Sequence, residues 1–220
     1  MLTNRLQMVL SLIDKDDIIA DIGTDHGYLL MYAFNKGVKL AQGIENKQGP
    51  YTRACLNLNE QIKKGICTIT LSSGLNDVLP MVDTIVMAGM GGELIVDILT
   101  ENLDVAKRMK KIILCPNKKN YELRKFLSEN GFLIEKELIT QEANFFYEAF
   151  LVKPVNDIVK LTDIECEFGP YLLKHKNDVF KAKWCFRLNQ YMNIIHNSDC
   201  VIPDIEKKVQ QIKEVLNDKS

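Results

Sequence analysis

The segment Ile18-Ile-Ala-Asp-Ile-Gly-Thr-Asp-His-Gly-Tyr28 holds the residue types best suited to chemistry. An apolar run carries Asp21 near its end, and Gly23 and Gly27 follow before a stretch of helical character, a DxGxDxG spacing. Glycine permits a sharp turn and a close approach of backbone to ligand. In doubly wound sheets, ligands bind beyond the carboxyl ends of the strands, near the topological switch point. A dinucleotide fingerprint would read GxGxxG and aim a helix N-terminus at pyrophosphate. Here Asp25 stands where the middle glycine would be. A carboxylate there repels pyrophosphate and suits a cationic ligand, such as one carrying a sulfonium or an amino group. The bland alternative is an acidic turn that only caps the helix.

Other apolar runs end in residues that could join this loop. Glu45 closes the run Leu40–Ile44, 24 residues after Asp21. An acid at the end of a second strand can accept hydrogen bonds from ribose hydroxyls. Ser72-Ser73-Gly74-Leu75 follows a third run and offers small polar groups for a base edge, or an ordinary turn. Val86-Met-Ala-Gly-Met-Gly-Gly92 runs from a buried strand into glycines, leaving room for a flat base or a reacting methyl. It lacks the GxxxxGK[ST] of a phosphate-cradling loop. Leu114-Cys-Pro-Asn117 ends the next run, and Asn117 carries both a donor and an acceptor.

These residues need a scaffold that gathers strand ends. Strands are expected at 17–21, 40–44, 66–71, 84–87, 111–114, 133–140 and 145–152. Helices are expected at 2–13, 28–35, 48–63, 91–99 and 119–129. That alternation predicts an α/β fold with a doubly wound, mostly parallel sheet. The last two strands follow one another across Ala143–Asn144, which predicts an antiparallel hairpin at the sheet edge. After Lys153-Pro154 only Gly169 remains of the glycines. Leu173, Phe180, Trp184, Leu188, Tyr191 and Ile195 fall on one helical stripe, and Ile205, Val209, Ile212 and Leu216 on another, separated by Pro203. This predicts two helices packed antiparallel as a short coiled coil. The chain thus divides into a ligand-binding domain at 1–154 and a helical coiled-coil domain at 155–220.

Bulk properties remove several classes. The 220 residues are 46% hydrophobic and 26% charged, which is globular composition. No apolar run of about 20 residues occurs, so no membrane span is expected. Polar residues interrupt the N-terminal stretch, which reads as a short amphipathic helix of a cytoplasmic protein. The six cysteines lack CxxC or Cys/His ligand spacing, so no metal site is expected, and reduced core thiols are. The net charge of −1 does not advertise nucleic acid, so any RNA contact must rest on local basic patches.

Together the segments ADIGTDHGYL at 20–29, GIEN with GP at 43–50, AGMGGELI at 88–95 and PN at 116–117 resemble the bacterial tRNA (adenine-22-N1)-methyltransferases. Asn4-Arg5-Leu6, Tyr121–Leu127, Tyr147-Glu148 and Glu167–Pro170 also fit, so the resemblance spans nearly the whole chain. It implies a class I (Rossmann-like) methyltransferase sheet with a helical C-terminal extension, S-adenosyl-L-methionine as cofactor and tRNA as substrate. It implies cofactor contacts from Asp21, Gly23, Glu45, Asn46, Ser73, Gly74, Ala88, Gly89 and Met90. The family carries an Asp in a GDGL stretch where this chain has Ser72-Ser73-Gly74-Leu75, so Ser73 becomes the hydrogen-bond acceptor there. Asp25, His26, Tyr28 and Asn117 are the expected catalytic residues. Asp25 would stabilise the charge that methylation places on the base, His26 and Tyr28 would orient the base, and Asn117 would hold its edge or shape the pocket. RNA contacts are expected from Arg5, Lys107, Arg108, Lys110, Lys111, Lys118 and Lys119. A second set, Lys174, Lys176, Lys181, Lys183 and Arg187, is expected on one long helix following phosphates. The oligomeric state is left open, monomer included. The competing readings are a methyltransferase for another RNA, a protein or a small molecule, and a non-enzymatic partner-binding protein with a degenerate site.

Overall fold

The computed structural model describes residues 2–198 and 202–217. Seven strands form one sheet: β1 (Ile18–Ile22), β2 (Leu40–Glu45), β3 (Cys67–Leu71), β4 (Thr84–Ala88), β5 (Lys111–Cys115), β6 (Phe132–Glu142) and β7 (Phe145–Pro154). Their order is β3-β2-β1-β4-β5-β7-β6, with β7 antiparallel to β5 and to β6 and the rest parallel. The order reverses between β1 and β4, which places the switch point beside Asp21 and Ala88. The expected doubly wound sheet and edge hairpin are both present. Ala143 makes the hairpin turn with φ 52°.

The helices that cover the sheet are α1 (Asn4–Ser11), α2 (Tyr28–Lys36), α3 (Gln48–Asn57), α4 (Asn59–Lys63), α5 (Gly92–Glu101), α6 (Leu103–Lys107) and α7 (Asn120–Glu129). Two apolar clusters lie on opposite faces of the sheet. One gathers Ile85, Met87, Ile95 and Leu123, and the other gathers Val9, Ile19, Leu30 and Ile113. The helix expected over 48–63 is broken at Leu58, which is fully buried and caps both α3 and α4. The break seats Leu58 beneath the loop after β1. A Cβ on Gly27 would lie 2.7 Å from its Cδ1, so this packing requires glycine.

Beyond β7 come α8 (Asp163–Phe168), α9 (Leu172–His175), α10 (Asp178–His196) and α11 (Pro203–Asn217). The two apolar stripes fall on α10 and α11, except that Leu173, expected on the same helix as Phe180, lies in the separate α9; α8 and α9 are too short to show periodicity. α10 and α11 pack antiparallel: Tyr191, late in α10, meets Lys208, early in α11, and Phe180 and Trp184 share a cluster with Ile212 and Val215. Ile139 of β6 and Phe168 of α8 belong to the same cluster, so the tail is built onto the sheet edge.

A buried charge cluster fastens that junction. Arg124 of α7 is fully buried and donates to Glu137 of β6 at 2.7 Å and Glu148 of β7 at 2.6 Å. It also donates to the Cys166 carbonyl at 3.1 Å. Glu148 accepts further from Asn120 and Lys183, and Glu137 accepts from the Tyr171 and Leu172 amides. Gly169 passes so close that a Cβ there would lie 2.6 Å from Glu137 and 2.7 Å from Arg124.

Among the described residues no helix is long and apolar enough to cross a membrane, and no group of three His, Cys, Asp or Glu could hold a metal. Cys67, Cys115 and Cys166 are buried thiols, Cys55 is half-buried and Cys185 is exposed. Burial pushes Cys67 and Cys115 up to about 12, so both stay protonated and inert. Cys200 lies outside the described residues.

Candidate active site

The carboxyl ends of β1, β2, β3 and β4 open into one cavity of about 1010 Å³. Every residue expected to touch the cofactor lines it: Asp21, Gly23, Glu45, Asn46, Ser73, Gly74, Ala88, Gly89 and Met90. Asp25, His26, Tyr28 and Arg5 line it as well. The sequence reading missed Thr24, Tyr32, Lys47, Leu94, Asp97 and Glu101, which also border it. The α5 residues among these recur at helical spacing after the glycine cluster, a signal that was available.

The loop after β1 is held by two carboxylates, one from β1 and one from β2. Asp21 is buried and accepts from the Thr24 hydroxyl at 2.8 Å. Glu45 is buried at the end of β2 and accepts from the Asp25 amide at 3.1 Å and the Lys47 amide at 2.9 Å. A carboxylate has about four lone-pair sites, so Glu45 retains acceptor capacity for ribose hydroxyls. Gly23 turns at φ 74°, and a Cβ there would lie 3.2 Å from the Met90 methyl. Gly89 adopts φ 85°, and a Cβ there would meet only the Arg5 guanidinium at 3.7 Å, so this edge is open to a ligand. Ser72 and Ser73 both line the cavity, and the Ser72 hydroxyl donates to Asp77.

Burial raises the Asp21 carboxyl to about 7; the Thr24 hydrogen bond opposes the rise, and Glu45 and Asp25 add to it. Among the described residues no cation pairs with Asp21, so a cationic ligand would satisfy an anion there. Its raised folded value means that the folded chain keeps a proton which the unfolded chain loses between about pH 4 and 7. The ligand-free protein therefore loses stability as pH rises through that window. Asp21→Asn keeps an acceptor for Thr24 and removes this term. It is expected to raise the ligand-free Tm above wild type at pH 8, with the difference shrinking toward pH 4, while weakening cofactor binding at pH 8. Thermal melts with and without cofactor across pH 4–8 check both signs.

Another part of the cavity wall is built around Asp25, His26 and Tyr28. The Asp25 φ of 51° is left-handed, a conformation Asp tolerates better than most residues. The side chain is 65% exposed and lies 3.5 Å from the His26 ring nitrogen Nε2. His26 and Tyr28 have ring centroids 5.7 Å apart, and Tyr28 is 54% exposed, so it is not a core residue. Asn117 does not line the cavity. It donates to the Gly89 carbonyl at 2.7 Å and accepts from Arg5 Nη1 at 3.3 Å, so both functions of its amide shape the glycine edge. Arg5 lies over the Tyr147 ring at 5.2 Å.

The basic residues divide. Lys118 is exposed beside Gly91, and Lys174, Lys181 and Arg187 are exposed on the tail, with Lys174 over the Tyr171 ring at 5.1 Å. The second set does not share one helix: Lys174 is in α9, Lys176 ends it, and Lys181, Lys183 and Arg187 are in α10. Several others serve the fold. Lys111 is buried against Asp14 and Asp17, Lys183 pairs with Glu148, and Lys107 donates to the Asn130 and Gly131 carbonyls. Arg108 donates to the Val78 carbonyl, and Lys119 pairs with Glu93 and Glu122.

The family model for tRNA (adenine(22)-N(1))-methyltransferase matches residues 19–219. The tRNA (adenine(22)-N(1))-methyltransferase of Bacillus subtilis is 31% identical over 226 residues, covering 98% of this chain and 93% of the relative. A Streptococcus pneumoniae protein solved in complex with S-adenosyl-L-methionine superposes with a TM-score of 0.89 at 34% identity, covering 98% of this chain and 100% of that one. TrmK of M. capricolum, solved with S-adenosyl-homocysteine, gives 0.83 at 26% identity, covering 98% of each. The chain belongs to the tRNA (adenine(22)-N(1))-methyltransferase family.

Proposed function

We propose that this protein uses S-adenosyl-L-methionine to methylate N1 of adenine 22 in tRNA, in the cytoplasm. The observation that carries the reading is a cavity at the switch point, lined by buried carboxylates and glycine edges, in a chain of this family. The donor set fits the cofactor. Asp21 and Glu45 suit its positive charge and its ribose hydroxyls, and Gly89 leaves space where a side chain would intrude.

Bound there, the cofactor supplies a methyl group whose transfer forms the N1–C bond, breaks the S–C bond and moves one positive charge onto the base. The neutral purine carries no proton at N1, so no general base is required. The chain's task is to align the base, exclude water and stabilise the new charge. Holding reactants in line contributes about 7–11 kcal/mol in favourable cases. Tyr28 and Leu94 present apolar surface at the cavity where a base can rest. N1 lies on the Watson–Crick edge, so the target nucleotide must be unstacked or unpaired to enter. Asp25 is the carboxylate placed to meet the charge on the product base, with His26 held beside it. Arg5 and Asn117 position the Gly89 edge. The chain divides functionally into a methyltransferase body at 1–154 and a helical part at 155–220 that presents Lys174, Lys181 and Arg187 to RNA.

A tRNA transcript with adenine at position 22 is expected to take up methyl, and the same transcript with guanine there is expected to take up none. Equal uptake by both would move the reaction to another nucleotide.

A further inference from the structure

The β6–β7 hairpin extends well past the rest of the sheet. The pairing of Leu114 with Phe150 sets Cys115, the last residue of β5, level with Ala149. Phe145 is four residues further on, about 13 Å past that level at 3.3 Å per residue. Because β5 runs toward the cavity edge, the arm projects on the side where the cavity opens.

Alternation along β7 puts Phe145 and Tyr147 on one face of the arm and Phe146 and Glu148 on the other. The second face is covered: Phe146 meets Phe186 of α10 at 6.2 Å, and Glu148 is in the buried charge cluster. The first face leads to the cavity. Tyr147 lies under Arg5, and Arg5 lines the cavity wall. The start of α1 is tied to the same arm, with Asn4 Nδ2 donating to the Gln141 carbonyl and the Arg5 amide donating to Glu142, the cross-strand partner of Phe145. Phe145 itself is 65% exposed at the tip.

A large aromatic side chain held in solvent on a two-stranded arm contributes little to the core. We propose that Phe145 is a stacking platform for an unpaired tRNA base next to the target nucleotide, on a path that runs by Tyr147 and Arg5 to the cavity. The proposal rests on the tRNA reading above. An RNA that delivers one base into the cavity must pass its edge, and the arm stands beside that edge through its contacts with Asn4 and Arg5. Base–aromatic stacking tolerates sequence, because every base has a π-face. Cations flank the path, with Arg5 at the cavity and Lys118 exposed beside Gly91.

The test is steady-state methylation of a tRNA transcript by wild type, Phe145→Ala, Phe145→Leu and Phe145→Trp, with cofactor affinity and sedimentation measured in parallel. Phe145→Ala is expected to raise KM for tRNA about tenfold, the size of one lost stacking contact. Phe145→Trp restores wild-type KM, Phe145→Leu does not, and cofactor affinity is unchanged throughout. An unchanged KM in Phe145→Ala overturns the proposal, as does full rescue by Leu, which would make the contact merely apolar. A change of oligomeric state in Phe145→Ala with KM intact would assign the tip to a second copy of this chain. Absence of methylation by wild type would instead strike the tRNA reading.

Discussion

Asp25→Ala is expected to lower kcat about 100-fold or more while changing cofactor affinity only a few-fold. Removing one preorganised group that faces developing charge costs on this scale. The asymmetry follows from how the loop is held. The Asp25 amide donates to Glu45, and Gly23 and Gly27 set the turn, so the backbone path survives loss of the side chain. The carboxylate itself is exposed at the cavity wall, with His26 at 3.5 Å as its neighbour. A base entering the cavity would cover it and remove the water that now screens it. Asp25→Asn is expected to resemble Ala in kcat, since shape without charge does not stabilise a cationic product. Single-turnover rates with saturating tRNA, set beside cofactor titrations, separate the two quantities. Equal losses in both would move Asp25 into the cofactor-binding set.

Arg124→Ala is expected to be the most destabilising single change, lowering Tm by roughly 10 °C. Among the described residues, Glu137 and Glu148 would be left buried with Lys183 alone to balance them, and breaking a buried pair costs about 3–5 kcal/mol. Burial alone would raise Glu148; Lys183 and Arg124 more than offset that and hold it at about 2. Because this folded value lies below the ordinary 4.5, the stabilisation is present above about pH 4.5 and is lost as pH falls through 2. Arg124→Ala should therefore lose most stability at neutral pH and approach wild type in strong acid. Replacing Glu137 and Glu148 by Gln in the same variant should recover part of the loss. Thermal melts at pH 7 and pH 3 check both statements. A loss that does not depend on pH would mean that packing over Phe150, 4.6 Å from the guanidinium, dominates instead.

That cluster also explains part of what the sequence did and did not disclose. Tyr121–Leu127, Tyr147-Glu148 and Glu167–Pro170 resembled the family without any chemical reason visible in the chain. In the fold, Arg124, Glu148 and Gly169 from these three stretches meet at one point, with Glu137 as a fourth partner. A match of this kind marks the junction of sheet and tail rather than the reaction. The lining of the cavity by Asp21, Glu45 and Gly89 was legible, because short strands ending in Asp, Glu or glycine declare the sheet edge. Lysines were misread where partners come from distant sequence: nothing near Lys111 or Lys183 reveals the carboxylates at Asp17 and Glu148. Asn117, expected to hold the base edge or shape the pocket, does not line the cavity, and its partners Arg5 and Gly89, 112 and 28 residues away, are visible only in the fold.

The most direct measurement is methyl transfer from labelled S-adenosyl-L-methionine to bulk tRNA, followed by nuclease digestion and identification of the labelled nucleoside. The account predicts label in 1-methyladenosine alone. Label in another nucleoside, or no label from a protein that binds the cofactor, would contradict it.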